Sequence, residues 1–478
     1  MQHLPEQYVL RAKNYFGDDY TNFIASLSQP ASLSIRLNSE KINHHFGHFV
    51  DVPWCDEGKY LDIRPDFTLD PLFHAGTYYV QEASSMFIAH IVKHIFDLSQ
   101  SLNVLDLCAA PGGKSTLLSS LLSDESLLIA NEVIAKRVGM LSENISKWGK
   151  PNTLVSNNDP NDLKKLNSFF DLVVVDAPCS GEGLFRKDHD AINEWSVNNI
   201  QLCEARQKRI LEAIQKTIAN DGYLIFCTCT FAPEENEENL KWFIENNPEY
   251  ESVQIPINKN WGIVQKTNTV KDQQLFSYHF YPHKVKGEGF FVTCLKKALS
   301  PSLPNQVRDK LSPKGEGKHS KLKKHVNFQL LQEKEKNILK NWIKNFEQYE
   351  FYLNWENELY AIHKEKTKEI SLLMQTFKIK QAGIHIGKLI KNELIPSHHL
   401  AVSTIISNEI PFIELNKQQA LQYLAKQNIT AISTDSVGWH LVKYNGVNLG
   451  WVKMLPNRIN NYYPQEYRIR KSIEIIAK

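Results

Sequence analysis

Two cysteine-bearing segments carry the residue types with which this chain could do covalent chemistry. The first is Val173-Val174-Val175-Asp176-Ala177-Pro178-Cys179-Ser180-Gly181-Glu182-Gly183. A run of β-branched residues reads as a strand buried on both faces, and Pro178 takes the chain out of the sheet. Cys179 is thereby expected at the carboxyl edge, where open α/β sheets bind their ligands. The second is Phe226-Cys227-Thr228-Cys229-Thr230, which closes a strand candidate over 223–227. If the two strands are neighbours, Cys179 and Cys229 face one cleft. Either cysteine alone reads equally well as an ordinary buried thiol.

A third segment, Asp106-Leu107-Cys108-Ala109-Ala110-Pro111-Gly112-Gly113-Lys114-Ser115, follows a strand candidate and opens a helix. Gly113-Lys114-Ser115 imitates the end of a phosphate-binding loop, but Cys108 stands where that loop requires a glycine. The dinucleotide fingerprint G-x-G-x-x-G is also absent. What remains is a glycine turn whose N–H groups, free at a helix N-terminus, attract a carboxylate. Glu132 ends the next strand and is placed to bond ribose hydroxyls. Asp159 follows the third and could reach an exocyclic amine. Each acid alone reads as a cap or a solvated turn; at three successive strand ends they fit carboxylate, ribose and adenine, which together describe S-adenosyl-L-methionine.

Two thiols beside a sulfonium methyl group suit one substrate. Carbon 5 of cytosine is a poor nucleophile, and a thiolate adding to carbon 6 turns the ring into an enamine able to attack the methyl group. A second thiol could help remove the carbon-5 proton, and Asp176 could hold the N3/N4 edge of the base. A free cysteine is only a few per cent thiolate at neutral pH, so a cation or a helix N-terminus must assist; Lys114 is one candidate. A redox disulfide or a metal pair would explain the cysteines but not the glycine loop.

The elements that must position these residues are a doubly wound, mainly parallel sheet. Strand candidates recur at 102–107, 127–130, 153–155, 172–175, 223–227 and 290–294, mostly separated by helical patterns. The clearest helices are 202–218 and one entered at Ser84, a candidate N-cap. Residues 1–80 read as a small α+β unit with a short strand at 33–38, and 81–298 as the Rossmann-like core. Between Lys296 and Lys324, Lys and Arg outnumber Asp309 and Glu316 nine to two, so 299–325 reads as a basic linker.

A second region follows, 326–400 and then 401–478. It has a helix expected over 330–346, strand-like pieces at 351–353 and 383–387, and a hairpin turned by Asn445-Gly446. The tail interleaves Arg458, Tyr462, Tyr463, Tyr467, Arg468, Arg470 and Lys471. Aromatics among cations suit RNA and suit the core and rim of a small β-barrel equally.

Composition bounds the rest. In 478 residues, about three domains' worth, 55 basic groups nearly balance 53 acids, so no nucleic-acid partner follows from net charge. Seven cysteines without a C-x-x-C pair argue against a disulfide scaffold and a zinc ribbon. His44, His45, His48 and Cys55 fit no ligand spacing, so no metal is expected. Without a signal-peptide pattern or a membrane-length apolar run, a cytoplasmic protein is expected.

With these blocks in hand, the chain resembles the NOL1/NOP2/Sun RNA cytosine-C5 methyltransferases, within them the bacterial RsmF-type branch acting on 16S ribosomal RNA. The carriers are DLCAAPGGKS at 106–115, NE at 131–132, VVDAPCSGEGLFRKD at 174–188, CTCTFAPEENE at 227–237 and GEGFF at 287–291. IRLN at 35–38, YVQEASS at 79–85, GIHIGKLIKNELIPSHHLA at 383–401 and LGWVK at 449–453 agree as well. The resemblance implies that Cys108, Ala109, Ala110, Pro111, Gly112, Gly113, Lys114, Glu132, Asp159 and Asp176 contact S-adenosyl-L-methionine. It implies that Cys229 is the nucleophile and Cys179 assists release, a choice the spacing leaves open. It implies a PUA-like RNA-binding region at the carboxyl end and ribosomal RNA or the small ribosomal subunit as partner; a transfer-RNA methyltransferase or a non-catalytic assembly factor are the alternatives. A monomer is expected. Cys227 stands where related chains often carry serine, and is expected on the opposite face of its strand from Cys229.

Overall fold

The computed structural model describes residues 4–41, 49–299, 328–354, 356–391, 393–429 and 436–473. At its centre is a ten-stranded sheet: β1 (Asn103–Asp106), β2 (Leu127–Asn131), β3 (Thr153–Ser156), β4 (Phe170–Asp176), β5 (Ile218–Thr228), β6 (Tyr250–Ser252), β7 (Val264–Val270), β8 (Gln273–Phe280), β9 (Phe290–Lys297) and β10 (Ile379–Ala382). The spatial order is β7-β8-β9-β5-β4-β1-β2-β3-β10, with β6 also paired to β9. Strands β1 to β5 are mutually parallel, and β9 joins β5 antiparallel. All six strand candidates exist; the hairpin β7–β8, whose exposed face is polar, escaped the sequence reading. The order reverses between β1 and β4, so their carboxyl ends open one crevice.

Alternation along the parallel strands explains the double burial. Leu105, Val173, Val175, Leu224 and Phe226 enter the apolar layer on one face, and Val104, Leu172, Val174, Ile225 and Cys227 the layer on the other. The flanking helices include α1 (Gly113–Leu121), α2 (Ala135–Trp148), α3 (Val197–Ile214) and α4 (Glu237–Asn246). The expected helix over 202–218 is α3, begun five residues earlier by Ser196, whose Oγ accepts the Asn199 N–H at 3.0 Å. Ser84 is not an N-cap. It lies in a 3₁₀ turn, and Glu82 accepts the Ser84 and Ser85 N–H groups at 2.9 and 3.0 Å instead.

The amino-terminal sheet orders strands 50–52, 55–61, 33–37 and 78–80. Its apolar face shares a core with the carboxyl-terminal sheet: Ile35, Leu72 and Tyr78 pack with Tyr423, Val442 and Val452. The helices Glu6–Phe16 and Tyr20–Leu27 instead pack Tyr8, Phe16 and Phe23 against Phe185, Trp195 and Phe231, beside the cysteine loops.

The second region departs from expectation in two places. Residues 330–346 are not one helix: a strand ends at Leu330, a seven-residue helix spans Glu333–Leu339, and turns follow. Seven residues form too few hydrogen bonds to carry a helix without packing, and Leu339 supplies its buried contact. The piece at 383–387 is broken at Gly383, whose positive φ of 63° turns β10 into the next strand, Ile384–Ile390. A Cβ there would lie 2.2 Å from the Ala361 carbonyl oxygen, so glycine is required. Strand β10 completes the edge of the central sheet against β3. The Asn445-Gly446 hairpin joins strands Gly438–Tyr444 and Val447–Leu455 as expected. In the tail, Tyr463 is core, while Tyr462, Arg458, Arg468, Arg470 and Lys471 face outward. Apart from Leu299, the expected linker lies outside the described residues, as do His44, His45 and His48. Among the described residues no cluster of metal-ligating side chains occurs and no helix is long and apolar enough to cross a membrane.

Candidate functional site

Strand β1 ends in Asp106, which is fully buried and accepts the Ser115 hydroxyl at 2.6 Å, closing the glycine turn onto the first turn of α1. The turn is stitched to its neighbours by Leu107 N–H to the Val174 carbonyl (2.9 Å) and Ala109 N–H to the Asn131 carbonyl (2.8 Å). Gly112, at φ 115°, opens α1. One residue into that helix, Lys114 reaches across the switch point and places Nζ 2.7 Å from Asp176 Oδ2 at the end of β4. A cavity of about 160 Å³ is lined by Cys108, Ala109, Ala110, Pro111, Gly113, Lys114 and Asp176, together with Tyr79, Val80, Gln81, Glu82 and Ser85.

Burial decides the electrostatics. It pushes Asp106 up to about 7, against the lowering effect of the Ser115 hydrogen bond. It pushes the Cys108 thiol up as well. For Lys114 burial works downward, but Asp176, with Cys227 and Asp106, outweighs it and the ammonium is held well above its ordinary value.

The two other acids sit on the same sheet edge without bordering the cavity. Glu132 is buried after β2; its Oε1 accepts the Ile134 N–H at 2.8 Å, and its Oε2 has no hydrogen-bond partner, with Arg137 Nη1 3.4 Å away. Arg137 also donates to the Ala110 carbonyl at 2.6 Å, tying this acid to the glycine turn. Asp159 is more open, and its Oδ1 accepts the backbone and side-chain N–H groups of Asn161 at 2.9 Å each.

The two cysteine loops meet. Cys179 Sγ lies 3.1 Å from Cys229 Sγ, both thiols free, and the Cys229 N–H points at Cys179 Sγ from 3.3 Å. The register explains it: Asp176 pairs with Cys227 in the parallel ladder, so the loops leave the sheet side by side. The contact with Cys229, then burial, then the Glu235 carboxylate push the Cys179 thiol well up. No cation is among these influences; Lys114, the candidate activator, is engaged by Asp176. Cys227 is not on the far side from the site. Residues two apart on a strand share a face, and its thiol donates to Asp176 Oδ1 at 3.6 Å.

Comparison with known proteins fits each part of this architecture. Residues 4–83 match the profile of the N-terminal domain of 16S rRNA methyltransferase RsmF, 94–296 that of 16S rRNA methyltransferase RsmB/F, and 411–469 that of the methyltransferase RsmF PUA domain. The ribosomal RNA small subunit methyltransferase F of Vibrio parahaemolyticus is 30% identical over 474 residues, covering 93% of each chain. The chain belongs to the RsmF family.

The enzyme of the same name from Vibrio atlanticus is 29% identical over 488 residues, covering 97% of both chains. Among solved structures, a methyltransferase homolog protein from Pyrococcus horikoshii aligns with TM-score 0.52 and 27% identity, over 61% of this chain and 95% of its own. NSun6 from the same organism, at TM-score 0.51 and 20% identity over 62% of this chain and 99% of its own, shares the fold. The RsmF-family chain described here is thus a Rossmann-like methyltransferase with an amino-terminal domain and a PUA domain.

Sequence reasoning missed several residues that build this site. Tyr79, Gln81, Glu82 and Ser85 line the cavity, although their segment 79–85 had no assigned role. Arg36, the one charged residue in its strand and buried, donates to Gln81 Oε1 (2.9 Å) and Thr116 Oγ1 (2.6 Å), bracing α1 from the amino-terminal sheet. A lone arginine in the run LSIRL was the available signal. Glu82 accepts the Glu288 N–H at 2.9 Å, and Arg186 grips the Glu288 carboxylate from Nε (3.0 Å) and Nη2 (2.9 Å), so segment 287–291 is fixed against the first cysteine loop.

Proposed function

We propose that this protein transfers a methyl group from S-adenosyl-L-methionine to carbon 5 of a cytosine in 16S ribosomal RNA, through a covalent bond between Cys229 and carbon 6 that Cys179 helps to resolve. The observation that carries the reading is the 3.1 Å contact between the two sulfurs in the loops after β4 and β5, on the sheet edge where Asp176 of β4 lines the cavity. The residues at hand fit the cofactor: Glu132 Oε2 is a buried acceptor without a donor, as a ribose hydroxyl would require, and the N–H groups opening α1 suit a carboxylate. Cys108 to Lys114, Glu132, Asp159 and Asp176 are the residues proposed to hold it. When bound it supplies an electrophilic methyl group on a sulfonium.

The cytosine must leave its stack to enter, at a cost of a few kcal/mol. Asp176, held by Lys114, is proposed to grip the N3/N4 edge. Cys229 as thiolate adds to carbon 6, and carbon 5 becomes nucleophilic. Once Cys229 is bonded to carbon, Cys179 loses the sulfur contact that chiefly holds its proton. Having released its own proton to water, Cys179 as thiolate takes the carbon-5 proton; the C–H pair forms the ring double bond, and Cys229 departs with the C–S pair. The amino-terminal region to residue 80 and the carboxyl-terminal region from 401 are proposed to bind RNA on either side of the 81–298 core, with 326–400 between. A cytoplasmic monomer without a metal completes the proposal.

The test incubates the protein with labelled cofactor and either 16S ribosomal RNA or transfer RNA. Label on cytosine carbon 5 of the 16S RNA is expected, lost in Cys229→Ala, with a protein–RNA adduct accumulating in Cys179→Ala. Label on transfer RNA alone, or full activity of Cys229→Ala, overturns the reading.

A further inference from the structure

Beneath the two cysteines lies a carboxylate with no part in the scheme above. Glu235 is fully buried. Its Oε1 accepts the Ser180 N–H at 2.9 Å, and its Oε2 accepts the Ser180 hydroxyl at 2.5 Å. Ser180 Oγ also lies 2.9 Å from Thr230 Oγ1, so the residue after each cysteine meets over this one group. Gln207 of α3 completes the clamp, donating to Glu235 Oε1 (3.3 Å) and to the Pro178 carbonyl (2.9 Å). The turn Pro178–Ser180 is therefore held at both ends by a network anchored on Glu235.

We propose that Glu235 is a positioning residue for the release step: it holds the Cys179 thiol against Cys229 and sets the readiness of that thiol to give up its proton. The proposal rests on the covalent mechanism proposed above. A carboxylate pinned by two bonds to one serine, with no route to solvent, fixes the turn more firmly than a neutral side chain, because charge-assisted bonds are roughly twice as strong as neutral ones. Its charge also opposes a thiolate on Cys179. Burial holds Glu235 itself up at about 7, opposed by its Ser180 bonds and reinforced by Glu182. The groups acting on this pair are Cys229, Glu182 and Thr230, with the Cys203 thiol beside them, on which the Arg206 cation of α3 acts.

Two variants separate the two parts of this role. Glu235→Gln keeps the shape and removes the charge; Ser180→Ala removes the hydroxyl contacts to Glu235 and Thr230, keeps the backbone N–H bond and leaves the charge. Alkylation of Cys179 by iodoacetamide, followed by mass spectrometry across pH on the RNA-free protein, should show a midpoint moved to lower pH in Glu235→Gln and unmoved in Ser180→Ala. In single turnover with 16S RNA, Ser180→Ala should form the adduct normally and release it about tenfold more slowly, short of the ~100-fold or greater loss expected when a general base is removed. A merely structural role would not shift the alkylation profile. Alkylation and release both like the unaltered protein in both variants would overturn the proposal. A shifted profile without any adduct in the unaltered protein or Cys179→Ala would leave the Glu235 coupling standing and refute the covalent mechanism.

Discussion

Lys114 Nζ and Asp176 Oδ2, 2.7 Å apart, bridge the two strands whose divergence opens the crevice. The lysine comes from the first turn of α1, which follows β1, and the aspartate from the end of β4, so one ion pair fixes both walls. Asp176→Asn removes a chief partner of the Lys114 ammonium, leaving Cys227 and Asp106 to oppose the lowering effect of burial. Methyl transfer should fall by about 100-fold or more, measured as initial rates with labelled cofactor. Transfer at the unaltered rate would deny Asp176 a place in the chemistry.

The Arg186–Glu288 pair is nearly inaccessible, with side chains 7% and 2% exposed. Arg186→Ala leaves a buried carboxylate uncompensated and should cost about 3–5 kcal/mol, whereas Arg186→Met with Glu288→Leu should lie much closer to the unaltered protein. Urea denaturation of the three proteins measures the difference. Equal losses in single and double variants would show that packing, not charge, is at stake.

Glu182, buried between the Trp195 indole N–H and the Phe231 N–H, is raised by burial from 4.5 to about 7. The folded protein therefore binds this proton more tightly than the unfolded chain. Between pH about 4.5 and about 7 it carries the excess proton, so stability from this group declines as pH rises through that window and is flat on either side. Glu182→Gln lacks the decline. Its stability relative to the unaltered protein should improve from pH 5 to 7.5 by something on the order of 3 kcal/mol, read from thermal or urea melts; a pH-independent difference would contradict the assignment.

Strand β10 comes from the region after the core yet completes the core sheet. Asn157 N–H donates to the Lys378 carbonyl at 3.0 Å, Lys378 N–H to Asn158 Oδ1 at 3.0 Å, and Phe377, Met374 and Tyr360 pack into the layer under β1 and β4. A chain ending at residue 298 should therefore expose the β3 edge and an apolar face, and aggregate or melt well below the full protein. Light scattering and calorimetry on the purified fragment give the answer. A soluble monomer with an unchanged melting temperature would show that β10 is dispensable.

Much of the core was legible because its signals are local. The apolar runs that became β1, β2, β4 and β5 identify themselves by composition, and Pro178 and Gly112 mark where the chain leaves the sheet. The hairpin β7–β8 was not legible, since β7 is polar and exposed along most of its length and such an edge strand resembles loop. The helix over 330–346 failed because tertiary pairing overrode a helical composition: Ile343 bridges Ile406, and the Lys344 N–H donates to the Ile405 carbonyl. Cys227 was misplaced although the two-residue period of a strand already put it on the same face as Cys229.

By itself the sequence determined which side chains could react and on which strand ends they stand, because strand period, turn glycines and proline act within a few residues. Only the tertiary structure decided that Cys179 and Cys229, fifty positions apart, come into sulfur contact. It alone decided that Glu235 anchors both of their loops, that Arg36 braces α1, and that β10 closes the sheet from a distant segment. Those relationships depend on strand order and register, which are set by burying both faces of one sheet at once and leave no trace in any short stretch of chain.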